Sequence, residues 1–161
     1  MTTRKEDILS AFESAIKTIN TDNSINISDT ETYTYQNTVT YTDRQFINVT
    51  ENDIKNREMP WVIINNDTEM FSTLVGGNME NKIIVHVVGL VKADSNNKNL
   101  DTIMNNLQKD ILLAILNDET LGGNCDYLYP LEVSTVDEMV YPYGGFIITF
   151  EITYTCKHLH L

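Results

Sequence analysis

"GGFIITFEITYTC", residues 144–156, decides the fold. Phe146, Ile148, Phe150, Ile152, Tyr154 and Cys156 fall on one side of an extended chain, while Ile147, Thr149, Glu151, Thr153 and Thr155 fall on the other. Successive side chains alternate across a strand, so this segment predicts a sheet with one apolar face and one mainly polar face. Upstream, "CDYLYPLEVSTVDEMV" (125–140) reads as a strand of poorer regularity. "KIIVHVVGLV" (82–91) is a near-continuous apolar run, which predicts a central strand covered on both sides. "MPWVIIN" (59–65) places Pro60 at the first position of a strand, ahead of the apolar run Trp61 to Ile64. Between these two, "DTEMFSTLVGGNMEN" (67–81) reads as a long hairpin connection closed by Gly76, Gly77 and Asn78.

Two amphipathic helices are available to cover the apolar face. Thr3 and Glu6 fit a capping box, and Ile8, Phe12, Ala15, Ile16 and Ile19 then recur at helical spacing, predicting a helix over 4–20. Leu100, Ile103, Met104, Leu107, Ile111, Leu112 and Ile115 form a second stripe that starts after Asp94–Asn99 and ends near Asn117. Residues 21–50 open as a polar linker, followed by Tyr33, Tyr35, Val39 and Tyr41 alternating with Thr34, Gln36, Thr38 and Thr40, the pattern of a β-ribbon with one aromatic side that projects from the body. The order helix, strands, helix, strands predicts an α+β fold: an antiparallel or mixed sheet, two helices packed on one face, and an extended hairpin, in one domain over 1–161.

The 161 residues are enough to bury a core without staples, and no stretch approaches the roughly 20 apolar residues of a membrane-spanning helix. The N-terminus has no apolar run of the secretory type, so synthesis and folding in a cytoplasm and no membrane partner are expected. A formal charge of -12 disfavours a protein that grips nucleic acid, because phosphate binding requires clustered Lys and Arg. Cys125 and Cys156 are too few for a disulfide framework and read as two buried thiols.

Residues capable of chemistry are present, but in patterns with simpler explanations. The pairs Gly76-Gly77, Gly122-Gly123 and Gly144-Gly145 lack the Lys of a phosphate-binding loop and read as turns. Cys156, His158 and His160 alternate in the manner of metal ligands on an extended chain, yet a fourth ligand is not evident and a frayed tail accounts for them. His86, inside an apolar strand, reads as a satisfied histidine. Asp118-Glu119 and Asp137-Glu138 fall at loops, where solvated charge is the default. No catalytic residue, cofactor or metal is expected, and the chain reads as a non-enzyme.

The order of these elements, with "MPWVIIN" beginning a strand, the hairpin into "KIIVHVVGLV", the helix ending "DILLAILNDETLGG" and the closing "GGFIITFEITYTC", resembles the bacteriophage tail-terminator, or tail-completion, proteins over nearly the whole chain. The resemblance implies a structural virion protein of the neck and tail, whose ring of six copies caps the tail tube, ends its polymerisation and presents the head-attachment surface. Its implied partners are other copies of itself, the tail-tube protein and neck or connector proteins, with genomic DNA passing through the ring without specific binding. The resemblance leaves open another neck component such as a stopper or adaptor; a small hydrolase and a cellular binding module are the alternatives from other classes. Tyr33, Tyr35, Tyr41 and Phe71 are the candidate subunit or partner contacts, since aromatic side chains are favoured at interface centres, although filling the protein's own core explains them equally well.

Overall fold

Thr3 starts the first helix by accepting a hydrogen bond from the Glu6 N–H through its hydroxyl (3.2 Å), as a capping residue should. The computed structural model describes residues 3–44, 50–96 and 99–157, apart from the side chain of Tyr41. Along the chain lie α1 (Arg4–Lys17), β1 (Ser24–Asn26), β2 (Thr32–Thr34), β3 (Tyr41–Asp43), α2 (Glu51–Asn56), β4 (Trp61–Thr73), β5 (Asn78–Lys92), α3 (Leu100–Leu116), β6 (Tyr127–Thr135) and β7 (Tyr143–Lys157). β1 and β2 form a small hairpin of their own. The other strands make one five-stranded mixed sheet in the order β3-β4-β5-β7-β6, in which only the β3–β4 pairing is parallel. The fold is α+β.

The register of β5 on β7 carries the alternation of the closing segment across the sheet. Ile83, Val85 and Val87 sit opposite Ile152, Phe150 and Ile148, all on the apolar face. On that face pack Ile8, Phe12 and Ile16 of α1 and Leu107, Ile111 and Ile115 of α3, forming the main core. Phe12 meets Phe150 edge to face at 5.2 Å. Each such side chain, fully withdrawn from water, contributes about 1.5–3 kcal/mol, and this layer is the main source of stability. Among the described residues the opposite face is covered at one end, where Trp61, Ile63 and Leu90 form a second small cluster with Met59, Val88 and Met139. β5 is therefore central, but the expectation of cover on both sides is corrected: Ile84, His86 and Val88 stay half-buried on the open face. An alternation hidden within a run of Val and Ile looks continuous in sequence because half-buried positions accept the same residues.

Segment 18–39 is where the structure departs furthest from the expectation. Of the Tyr33–Tyr41 stretch, Tyr33 and Thr34 pair within a hairpin and Tyr41 opens β3, and the residues between do not project as a ribbon. The cause is Asp110, which lies on the buried stripe of α3 and is 0% exposed. Its carboxylate accepts from the Tyr33 hydroxyl (2.8 Å), the Gln36 N–H (3.1 Å to each oxygen), the Asn37 N–H (2.8 Å) and the Asn37 side-chain amide (2.8 Å). Two successive backbone donors bent toward one carboxylate cannot also serve a strand ladder, so the extended run breaks at Gln36. Tyr35 is carried into the main core, 2% exposed, and the Val39 N–H bonds the Ile19 carbonyl at 3.1 Å. α1 correspondingly stops at Lys17, short of the expected 20, with Thr18 as its C-cap. Its capping box is only half made, because the Glu6 carboxylate is taken by a bidentate Arg44 (2.6 and 2.9 Å) that fastens the end of this segment to α1. The guanidinium holds the Glu6 carboxyl below its usual range.

Three smaller corrections have local causes. α2 has no counterpart among the expected elements; Thr50 and Asp53 cap each other reciprocally, and the helix buries no residue, so it has no apolar stripe to betray it. Residues 67–81 are strand rather than connection: β4 and β5 run on to a tight turn in which the Leu74 N–H bonds the Asn78 carbonyl at 2.8 Å. Gly144 and Gly145 lie inside β7, not in a turn; a Cβ on Gly144 would meet Leu100 Cδ2 at 2.9 Å and one on Gly145 would meet Leu90 Cδ2 at 2.8 Å. Gly122-Gly123 does form a turn, with φ of 70° and 82°, held by the Asp118 carboxylate on the Gly122 N–H at 2.7 Å. Gly89 has a different reason to be glycine, because the ring of its cross-strand neighbour Phe146 lies where its Cβ would be, 2.3 Å from Cζ.

Two substitutions test these contacts. Asp110→Ala strands the donors of residues 33–37 and is expected to lower stability by about 2–4 kcal/mol in urea unfolding, with faster proteolytic cleavage confined to 20–40. Gly89→Ala forces Phe146 out of its position and is expected to cost about 1–3 kcal/mol in the same assay.

Candidate functional site

At the end of the sheet where β5 begins and β7 finishes, three strands outrun their cover. α1 reaches this region only with Lys5, whose ammonium bonds Glu69 at 2.8 Å. The other oxygen of Glu69 accepts from the Tyr154 hydroxyl at 2.8 Å. Burial and this carboxylate both push the Tyr154 phenol up from its ordinary value. β6 starts only at Tyr127, opposite Thr153, whereas β7 continues to Lys157 opposite Asn78. β6 still joins the Met70 row through Tyr127 opposite Thr153, and Asn81 and Tyr154 in the next row are buried; among the described residues the arm proper, Ser72 to Glu80 with Thr155 to Lys157, consists of the ends of β4, β5 and β7. A register shift between Asn66 and Glu69 marks its root, and bulges bend and twist the strand that carries them.

The tip of this arm is apolar and exposed. Met70, Phe71, Leu74 and Val75 are among the large hydrophobic side chains left in solvent, and Val75 is 98% exposed. The stretch from Met70 to Met79 contains no charged residue, in a chain whose net charge is -12. Gly76 and Gly77 have φ of 85° and 77°, and nothing lies within 4 Å of where their Cβ atoms would be. The turn is thus slim and carries its bulk on Leu74 and Val75.

The opposite end of the same strands carries the second apolar feature. Ile54 of α2 and Met139, Val140, Pro142 and Tyr143 before and at the start of β7 line a cavity of about 520 Å³, with Glu51, Lys55 and Glu138 at its polar rim. Val140 and Tyr141 stand exposed beside it. A third exposed set, Tyr127, Tyr129, Leu131 and Val133, lies on the edge strand β6. Pro130 and a register shift between Pro130 and Glu132 interrupt that edge, which blunts it against pairing with another strand.

No family model matches the chain, and no curated protein matches it.

Among the described side chains of the contact candidates named from the sequence, Phe71 is the one left exposed, at 53%. Tyr33 is half-buried, its hydroxyl spent on Asp110 and its ring under the Lys109 ammonium at 4.5 Å. Burial, then Asp110, raises its phenol well above the ordinary value. Tyr35 is a core residue, a correction with a plain cause: the Asp110 clamp turns it inward. Tyr41 pairs in β3 with Trp61 through its backbone, while its side chain lies outside the described residues. Leu74 and Val75 escape a reading of the sequence because a Val beside two glycines looks the same whether the turn packs down or stands free.

The residues considered for chemistry are separated. His86, read from the sequence as a satisfied core histidine, has both ring nitrogens partnered, by Thr149 Oγ1 (3.0 Å from Nδ1) and Asp67 Oδ2 (3.2 Å from Nε2), but lies half-buried on the open face and not in the core. Its three groups have the types of a nucleophilic triad, but Thr149 is 7% exposed and its hydroxyl offers a substrate carbonyl no approach. Asp118, Glu119, Asp137 and Glu138 are exposed, and Asp118 serves the glycine turn. His158 and His160 lie outside the described residues; Cys156 accepts from the Asn81 amide at 3.3 Å. Among the described residues no group of three or more His, Cys, Asp and Glu is placed to hold a metal, and no helix is long and apolar enough to cross a membrane.

The two cysteines differ in a measurable way. Burial, with Asp126 and Asp118 nearby, pushes the Cys125 thiol up to about 11, which leaves about one thiolate in a thousand at pH 8. Native protein treated with iodoacetamide at pH 8 is expected to alkylate at half-buried Cys156 at least about tenfold faster than at Cys125, read by peptide mass spectrometry, and denaturation should abolish the difference.

Proposed function

We propose that this chain is a structural component of a bacteriophage neck or tail: a ring-forming cap that ends tail-tube growth and offers the surface to which the head attaches. The observation that carries the reading is the charge-free strand end and turn, on which Met70, Phe71, Leu74 and Val75 are left exposed to solvent. A monomer gains nothing from such a surface, which loses its cost only when a neighbour covers it. Assembly by shape also accords with a sheet whose second face, among the described residues, is covered at the Trp61 end. The order of elements read from the sequence resembles that of tail-terminator proteins, and the net charge of -12 suits a bore through which DNA passes without adhering.

Electron cryomicroscopy of the particle that carries this chain tests the reading. The expected result is a ring of copies, six by the family resemblance, between tail tube and head. Particles made without the chain should carry tubes of uncontrolled length and lack heads. A reconstruction with no density for it between capsid and tail overturns the proposal.

A further inference from the structure

We infer that the hairpin tip of one copy, Leu74 and Val75, seats in the cavity between α2 and the 139–143 segment of the next copy. This inference deepens the ring-forming role proposed above and rests on it, since it names the surfaces by which the copies meet.

The placement of the two features makes the contact intermolecular. β5 and β7 pair over their full lengths, from Asn78 opposite Lys157 at the tip to Lys92 opposite Tyr143 at the cavity. Those 15 residues of β5 span roughly 46 Å at about 3.3 Å per residue. A tip cannot reach the cavity of its own chain, so the occupant comes from outside. Two different patches at opposite ends of one subunit make a heterologous contact, the kind that closes into a ring when each step adds a rotation.

Charge selects a second copy as that occupant. Copies of a chain at -12 repel one another except where the meeting surfaces lack carboxylates. The tip meets that condition, with no charge from Met70 to Met79, and the mainly apolar lining of the cavity carries two carboxylates, Glu51 and Glu138, which an uncharged tip does not repel. At the rim, Glu51 is already paired with Lys55 at 2.7 Å, so an uncharged tip can enter without opposing a bare charge from that helix. Shape agrees with charge. The turn narrows at Gly76 and Gly77, and a concave space of about 520 Å³ lined by Ile54, Met139, Val140, Pro142 and Tyr143 takes a few aliphatic side chains.

A photo-crosslinking amino acid, p-benzoyl-phenylalanine, placed at Val75 tests the contact in a mixture of isotope-labelled and unlabelled full-length chain and in assembled particles. Val75 touches nothing within its own chain that folding depends on, being 98% exposed. The expected result is mixed-isotope crosslinks from position 75 to residues 139–143 or Ile54. Val75→Asp, with an unchanged circular dichroism spectrum, should weaken self-association at least about tenfold by native mass spectrometry, as expected for a charge set into an apolar contact. Absence of the crosslink, or crosslinks to other regions only, overturns the inference. A ring seen in the particle without this crosslink would leave the proposed function standing and sink this contact alone.

Discussion

A fully buried carboxylate must find donors, and Asp110 finds them all in one short piece of chain. Leaving such a charge unpaired in the interior costs several kcal/mol, so the segment around Tyr33 to Asn37 has one low-energy place to be: folded down over α3. Once it is there, Tyr35 and Ile19 close the end of the main core, and the Arg44 to Glu6 bridge secures the following stretch against α1. β3 can then lie beside the start of β4, where Asp43 receives the Trp61 indole N–H at 2.8 Å and Arg57 lies over the ring at 5.0 Å. The placement of residues 33–37 over α3 follows from one polar anchor set within an apolar stripe.

That arrangement leaves the two ends of the long strands unequally covered. Helices and the folded segment lie over the middle of the strands, and the Trp61 cluster covers the far end of the other face. β4, β5 and β7 are longer than this cover, and their surplus becomes the arm. Its stiffness comes from three paired strands and from Glu69, which ties Lys5 of α1 to Tyr154 of β7. Continuous β-structure, β5 paired with β7 from Asn78 to Lys92, joins the apolar tip to the apolar cavity.

Much of this is legible in the chain alone. Alternation along 146–156 marks the core face of β7, and the helical stripes mark the faces of α1 and α3 that meet it. Asp110 is legible in part: three residues after Leu107 and one before Ile111, it falls on the stripe, and a carboxylate there is a signal that a donor cluster lies opposite. What supplies the donors is not legible, because backbone N–H groups exist at every residue. The Tyr and Thr alternation of 33–41 follows strand propensity correctly through Thr34 and then loses to the clamp. Gly144 and Gly145 show the same limit, since a glycine required by a neighbouring Leu side chain is indistinguishable in sequence from one required by a turn.

The sequence by itself determined what depends on neighbours along the chain: the helices α1 and α3, the strand cores at 61–64, 82–91 and 146–156, the apolar face of α1, α3 and β7, and that the class is α+β. Only the tertiary structure decided what depends on residues far apart in sequence. Asp110 meets Gln36 across 74 positions, Phe146 excludes a side chain at Gly89, and Val75 stands in solvent because the cover ends before it. The physical reason is range. Periodicity and capping act within a few residues, whereas burial and the satisfaction of a buried charge are settled by whichever distant groups the packed chain brings together.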